Sequence, residues 1–166
     1  NTKYILGTFE ITPILLSHDV KCFGYVVHST ITDETLVNIT DTGYIPDNSF
    51  EIISNADFYI FESNHDTDME LNSPRPAYLI KRNMSDTGHL NNIDSSYYLS
   101  LIVGNKTKTI LFAHLSRDCN REDLVLKAYK DVFLAQKGSI PDIEVYCLHQ
   151  DLPTFIQTKV KWNIHL

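Results

Sequence analysis

The sequence lacks any apolar run of the roughly 20 residues that a membrane-spanning helix needs, so we expect no contact with a membrane. Its three cysteines are odd in number and show no Cys-x-x-Cys spacing. This pattern argues against a disulfide framework and against a cysteine-only zinc site. A reducing, cytoplasmic compartment is the simplest interpretation. The chain starts at Asn1 with no leader pattern, so we expect that it begins inside a longer protein or was processed.

Basic residues are also scarce: 14 Lys and Arg stand against 21 Asp and Glu, which leaves a formal net charge of −7. This balance disfavours a protein that holds nucleic acid along a long basic groove, because contacts to phosphate dominate that kind of affinity. It is compatible with an enzyme whose local positive charge comes from a bound metal ion.

The patterning predicts one α/β domain over residues 1–166, since 43% of the residues are hydrophobic and no repeat or linker interrupts them. Short strand-like runs dominate the first third, and residues 74–100 suggest two helical pieces broken at Gly88. The clearest helix is expected over residues 121–137, with Asn120 as its N-cap and Gly138 as its stop.

Several of the predicted strands end in a residue that can bind metal. His18 follows the run 14–16, Asp41 follows 36–40, and His114 follows 110–113. Neighbouring strands of one sheet bring such ends to a single edge, where a rigid backbone fixes the ligands. Imidazole nitrogen and carboxylate oxygen are the ligands expected for a catalytic zinc ion. The run 58–61 leads in the same way into Glu62 and His65.

Each of these residues has a simpler interpretation beside the metal-binding one. A single histidine at a strand end, such as His18 or His114, is more often a hydrogen-bonded structural residue than a ligand. Asp41 precedes Thr-Gly and suits a turn. Glu62 is equally compatible with a solvated strand end.

Five segments, taken in order, carry a resemblance to a known family. They are Phe9-x-Ile-x-Pro13-(x)4-His18-Asp19, Thr40-Asp41-Thr42-Gly43, Phe61-Glu62-Ser63-Asn64-His65-Asp66, the stretch from Arg75 to Asn92 with Gly88-His89-Leu90-Asn91-Asn92, and Ala113-His114-Leu115-Ser116. The first, second and fifth are similar to the third, fourth and fifth metal motifs of metallo-β-lactamase-fold nucleases. All five together resemble the YycJ/WalJ-type branch, which is related in fold to ribonucleases Z and J.

The resemblance implies an αββα sandwich, of which this chain is mainly the C-terminal half, with one sheet and its helices. It implies a hydrolase that cuts DNA or RNA phosphodiesters by means of a metal-bound hydroxide, with two zinc ions in the complete enzyme, and manganese would suit the same ligands. The implied roles concern eight residues. They are His18, Asp41 and His114 as metal ligands, His65 and His89 as catalytic residues near the scissile phosphate, and Asn91, Asn92 and Ser116 as substrate-binding residues.

One family signature is missing, because His-x-His-x-Asp-His occurs nowhere in this sequence. In the family this signature lies in the N-terminal half and supplies most ligands of one metal ion. Three functions therefore stay open. The first is the C-terminal portion of an active nuclease, which needs the N-terminal half of the fold or a homo-oligomeric partner. The second is a truncated, non-catalytic module that acts in protein assembly. The third is a hydrolase of the same fold with a lactone or thioester substrate.

Overall fold

The structure is a computed structural model and describes residues 2–154. Within these residues seven strands form one mixed sheet whose spatial order follows the chain, from β1 at one edge to β7 at the other. The strands are β1 (Tyr4–Leu6), β2 (Phe9–Leu15), β3 (Phe23–Ser29), β4 (Thr35–Ile39), β5 (Phe58–Glu62), β6 (Thr109–Ala113) and β7 (Glu144–Cys147). The helices are α1 (Phe50–Ile53), α2 (Thr67–Leu71), α3 (Ala77–Asn83), α4 (Asn92–Ile102) and α5 (Glu122–Lys137), and a 3₁₀ turn (Asp47–Ser49) precedes α1.

The sheet changes its pairing at β4. Strands β1 to β4 are antiparallel and joined by short connections, whereas β4 to β7 run parallel. Parallel neighbours need crossover segments, and the helices lie in these segments. As a result the carboxyl ends of β4, β5 and β6 meet at the same edge of the sheet. The α/β class predicted from the sequence is confirmed.

One face of the sheet carries the core. Tyr59 and Phe61 of β5 point to this face beside Ile110 and Phe112 of β6, and all four are completely buried. Helices α1, α4 and α5 cover them with apolar side chains such as Leu99 and Phe133. Alternation along each strand sends every second residue to this face, as expected for a sheet packed on helices.

The opposite face remains apolar and open in the antiparallel part of the sheet. Leu15 lies opposite Phe23, and Pro13 lies opposite Tyr25, so these side chains share one surface. Leu15 is 55% exposed and Tyr25 is 42% exposed, and Phe9 on the same face is exposed as well. We call this surface, formed by Phe9, Leu15, Phe23, Tyr25 and their half-buried neighbours Ile11, Pro13 and Val27, the open sheet face.

Most of the predicted helix boundaries agree with the structure, and one was wrong. Gly138 ends α5 with φ 74°, as predicted, and Gly88 lies between α3 and α4. A Cβ atom at Gly88 would approach the carbonyl oxygen of Arg82 to 2.2 Å, so no larger residue fits there. Asn120 is not the N-cap of α5, because Arg121 holds that position without a side-chain bond. Asn120 is instead buried and pairs its amide with that of Asn92.

Candidate metal centre

Three of the strand ends converge as predicted. Asp41 follows β4, Glu62 ends β5, and His114 follows β6, so their side chains reach the same edge. Asp41, Glu62, His89 and His114 each offer a ligand atom, and these four atoms all lie within 4.8 Å of one another. The Asp41 Oδ1 atom is 3.6 Å from His114 Nε2. The described residues therefore contain a group of nitrogen and oxygen donors of the kind that holds a divalent cation.

Glu62 lies beneath this group and accepts four hydrogen bonds. Its Oε1 atom accepts from His89 Nδ1 at 2.8 Å and from His114 Nδ1 at 2.7 Å. Its Oε2 atom accepts from the backbone amides of Thr42, at 2.9 Å, and Leu90, at 3.3 Å. The side chain is completely buried, so the interpretation of Glu62 as a solvated strand end was wrong.

The charge of Glu62 is held in place by these donors. Burial alone would raise the pKa of this carboxyl, but the hydrogen bonds from His114 and His89 outweigh burial and lower it to about 2. In return the hydrogen bond to Glu62 raises the pKa of His114. A buried carboxylate that accepts a hydrogen bond from the Nδ1–H group of an imidazole keeps the proton on Nδ1 and leaves the Nε2 lone pair free for a metal ion. Glu62 therefore orients His114, and His114 Nε2 faces Asp41.

Asp41 and His114 share an unusual backbone conformation. Their φ angles are 63° and 59°, in the left-handed region that few residues other than glycine adopt. The Asn64 side chain stabilises this turn at His114 by donating to its carbonyl oxygen at 2.8 Å. Left-handed residues persist only where the surroundings hold them, and they concentrate at functional sites. The strained backbone at these two residues thus directs the Asp41 and His114 side chains towards each other.

His89 lies on the other side of Glu62, in the loop between α3 and α4. Its ring is 5.1 Å from the ring of His114 and also 5.1 Å from that of His18, measured between centroids. The His89 Nε2 atom accepts a hydrogen bond from Arg82 Nη1 at 3.1 Å. His89 is therefore part of the same cluster as the predicted ligands.

His18 lies at the border of this cluster. Its Nδ1 atom donates to the carbonyl oxygen of Gly88 at 3.0 Å. Its Nε2 atom is 3.2 Å from Asp19 Oδ1 and 3.4 Å from Arg82 Nη2. The structure thus brings His18 beside His89, with Nε2 directed at Asp19 and Arg82, and its role as a metal ligand stays a prediction.

The remaining predicted catalytic residue, His65, is enclosed below the cluster. It is 1% exposed, and neither of its ring nitrogens has a hydrogen-bond partner within residues 2–154. Burial lowers the pKa of its imidazole, which is therefore held neutral. Its catalytic role stays a prediction, and contact with a substrate would require the surrounding chain to open.

The three predicted substrate-binding residues lie around the same edge. Asn91 caps α4 by accepting from the Asp94 amide at 2.9 Å. Asn92 is buried, and its Oδ1 accepts from Ser63 and Asn120, a geometry that favours a structural role. Ser116 follows His114 by two residues, and its Oγ accepts from Arg75 Nη2 at 3.2 Å. Their contact with a substrate stays a prediction.

Sequence reasoning missed the roles of Asn64 and Arg82 and gave Glu62 too little weight. Asn64 and Glu62 belong to a strand end that the motif comparison had already singled out. Arg82 has no local signal, because its partners lie far away along the chain at Asp19 and His18. Only the folded arrangement of α3 against the loop after β2 reveals it.

Comparison with known proteins agrees with this geometry. No family model matches the chain. It is 33% identical over 154 residues to exodeoxyribonuclease YycJ of Bacillus anthracis, and 35% identical over 147 residues to exodeoxyribonuclease WalJ of Streptococcus pneumoniae. These alignments cover 91% and 82% of this chain but 57% and 54% of the relatives. The chain spans about half the length of the curated relatives it matches.

A search of solved structures found the metallo-β-lactamase fold protein YhfI of Bacillus subtilis, with a TM-score of 0.62 and 20% identity. The match covers 89% of this chain and 49% of that protein. The described residues have the fold of about half of a metallo-β-lactamase fold protein. The predicted fold class and the predicted similarity to the YycJ/WalJ-type branch are both confirmed. None of the helices in residues 2–154 has the length and apolar character required to cross a bilayer.

Proposed function

We propose that this chain forms the metal-binding edge of a metal-dependent phosphodiesterase that acts on nucleic acid, as an exodeoxyribonuclease. The observation that carries the proposal is the convergence of Asp41 and His114 over the buried Glu62 at the edge of parallel strands. The names of the relatives from Bacillus anthracis and Streptococcus pneumoniae support DNA as the substrate class.

The donor set fits a divalent cation. Asp41 and His114 are partly open to solvent, with 36% and 38% of their side chains exposed, so an ion can reach Oδ1 and Nε2. These two side chains would hold the ion, with His18 as a further ligand and zinc as the ion we propose. When bound, such an ion polarises a phosphoryl oxygen and lowers the pKa of a water molecule to about 7. Manganese would suit the same oxygen and nitrogen donors.

The side chains of this chain perform the accompanying steps. Glu62 accepts hydrogen bonds from Nδ1 of His114 and Nδ1 of His89, which directs His114 Nε2 towards Asp41 and His89 Nε2 towards Arg82. Asp41 places a carboxylate oxygen beside His114 Nε2. His89 is the proposed catalytic imidazole beside this pair, with its Nδ1 atom held by Glu62 and its Nε2 atom held by Arg82. Two or three ligands are fewer than a two-metal site needs, so further ligands must come from other polypeptide.

We propose that this polypeptide binds the open sheet face. Its exposed aromatic and aliphatic side chains form one surface, and such surfaces usually become interfaces. The relatives are longer than this chain, and its alignments cover 57% and 54% of their lengths. We propose that a second sheet layer covers this face, as the N-terminal half of the fold, and that it completes the metal site. We also propose the cytoplasm as the compartment, because Cys22, Cys119 and Cys147 are all free thiols.

The same face favours a second function, in which the chain acts as a non-catalytic assembly module. In that case a homo-oligomeric partner covers the open sheet face, and the metal-binding residues stay empty. The two functions differ in metal content and in the dependence of any activity on a metal ion.

Metal analysis and hydrolysis of the full protein test the proposal. We expect zinc or manganese in stoichiometric amount after purification, and release of nucleotides from DNA that stops with a chelator and returns with added metal. A metal-free protein that gains neither metal nor activity when incubated with zinc or manganese would contradict the enzyme and support the module. A metal-loaded protein that cleaves a lactone or thioester but no nucleic acid would assign a different substrate to the same centre.

A further inference from the structure

Arg82 is the one cationic side chain of the described residues that contacts two of the site histidines. All five of its N–H donors are used. Nε and Nη2 donate to Asp19 Oδ2 at 2.9 and 2.6 Å, and Nη2 also lies 3.4 Å from His18 Nε2. Nη1 donates to Asn83 Oδ1 at 3.2 Å and to His89 Nε2 at 3.1 Å. The guanidinium is therefore fixed from several sides.

These contacts determine how His89 carries its proton. Glu62 is ionised and only accepts, so the His89 Nδ1 atom must donate to it. A guanidinium only donates, so the Nε2 atom must accept from Arg82. These two hydrogen bonds thus place a proton on His89 Nδ1 and a lone pair on Nε2. A carboxylate on one side of the ring and a guanidinium on the other also fix the ring plane.

We propose that Arg82 is a positioning residue for His89, which it holds in a single tautomer and a single ring orientation while Asp19 anchors the guanidinium. This inference rests on the proposed function, in which His89 is a catalytic residue near the reacting phosphate. It adds to the role of Glu62 because the carboxylate alone fixes one end of the ring. The positioning chain therefore runs from Asp19 through Arg82 and His89 to Glu62.

A direct contact between Arg82 and the phosphate of the substrate is the competing role. The structure favours positioning, because all five donors already have partners and the Asp19 carboxylate takes two of them. The two roles separate in steady-state kinetics. A positioning residue acts on kcat, since it affects the orientation of a catalytic group in the reaction step, whereas loss of a phosphate contact made equally before and during the reaction raises KM.

The kinetic test compares R82Q and R82K in the full protein. For R82Q we expect kcat to fall roughly 10–100-fold, the usual effect of losing a residue that orients a site side chain, with little change in KM. R82K should recover part of kcat, because an ammonium still donates to His89 Nε2. The matched control is K127Q, which removes one positive charge from the exposed face of α5 and should match the wild type.

Nitrogen NMR of the histidine side chains in the metal-free full protein tests the same inference without any activity. In the wild type His89 should give the signals of the Nδ1-protonated tautomer alone, and in R82Q it should give a mixture of tautomers. This readout holds even if the protein does not cut nucleic acid, so failure of the proposed function and failure of this inference remain distinguishable.

Two results would overturn the inference. One is R82Q with unchanged kcat and an unchanged His89 tautomer, and the other is R82Q with raised KM alone, which assigns Arg82 to the substrate. If R82Q does not fold, D19N and R82K carry the test. D19N weakens the anchor of the guanidinium and also changes the partner of His18 Nε2. It should shift the tautomer of His89 and kcat in the same direction as R82Q, by a smaller amount.

Discussion

The two ends of β5 carry two buried carboxylates with different partners. Asp57 precedes the strand, and Lys108 Nζ lies 2.9 Å from its Oδ1 while the Thr35 amide donates to its Oδ2. Burial would raise the pKa of Asp57, but the hydrogen bond from Lys108 and its companions hold it below its usual value. Glu62 ends the same strand and binds two imidazoles instead.

The difference lies in what the partners can do. A lysine ammonium stays protonated at neutral pH, so the Asp57 end is a permanently paired structural site. Imidazoles lose or gain a proton near neutral pH and present a free lone pair, so the Glu62 end is suited to chemistry. Lowered carboxyl pKa values alone do not distinguish a structural pair from a reactive site, and the identity of the partners does.

The largest expected effect comes from replacing His114, which contacts Glu62 at the end of β5. H114A should lower DNA hydrolysis by the full protein more than roughly 100-fold, because it removes the Nε2 atom that faces Asp41 and would bind the metal ion. This loss exceeds the usual effect of changing a residue that only orients a ligand. Nuclease assays with metal analysis of the purified variant measure both consequences.

Since His114 has a left-handed backbone, alanine there adds strain of its own. H114N is the matched control, because asparagine tolerates positive φ. We expect it to be more stable than H114A, although it also loses the hydrogen bond to Glu62, and to lose as much activity as H114A. Retained hydrolysis in both variants would remove His114 from the site.

Exchanging the two carboxyls for amides sharpens the comparison directly. E62Q should reduce kcat roughly 10–100-fold, because the amide cannot accept both Nδ1 protons and two backbone donors as a carboxylate does. D57N should leave kcat unchanged and lower the free energy of unfolding by about 1–3 kcal/mol. Enzyme kinetics give kcat for both variants, and chemical denaturation gives their free energies of unfolding. Equal losses of kcat at the two positions would contradict the distinction between a reactive Glu62 and a structural Asp57.

The pH dependence of the free energy of unfolding tests the contribution of the Glu62 carboxylate. The pKa of Glu62 falls from 4.5 to about 2 on folding, so its contribution is complete above pH 4.5 and is lost as the pH falls through about 2. The shift corresponds to about 3 kcal/mol. The difference in unfolding free energy between wild type and E62Q should shrink over this range, as measured by denaturant titration. His114 acts in the opposite direction, because its raised pKa stabilises the fold at low pH and this contribution is lost as the pH rises.

The smallest expected effect concerns Asn91. N91A removes the cap of α4 and should lower the free energy of unfolding by about 1 kcal/mol, as denaturation will measure. N91S, which restores a capping side chain, is the control. If Asn91 also contacts the substrate, KM will rise in N91A, and an unchanged KM will leave capping as its role.

The sequence predicted the strands and the polar residues at their ends, because each of these patterns lies within a short segment of the chain. An apolar run followed by a polar residue marks a strand end wherever it occurs, and this rule located Asp41 and His114. The stop at Gly138 followed from its tolerance of positive φ. Parallel pairing then brought the strand ends together, which no single segment encodes.

The remaining features depend on distant parts of the chain. Whether Glu62 is solvated or buried depends on the loops of Thr42 and Leu90, which supply its backbone donors. Asn120 looked like a cap because it precedes a helix, yet its amide pairs with Asn92, 28 residues earlier. Arg82 acts across 63 residues on Asp19. Polar networks of this kind form only after the backbone has folded, so composition and periodicity do not reveal them.

The strict succession of strands from β1 to β7 has a consequence for how the domain forms. Each strand pairs with the one made just before it, so the sheet can grow in the order of synthesis. Short loops close the pairs up to β4, and longer helical crossovers close the later ones. His114 comes after six of the seven strands, and Asp41 after four. The two halves of the centre therefore meet late in the emergence of the chain, once the scaffold that aims them is already in place.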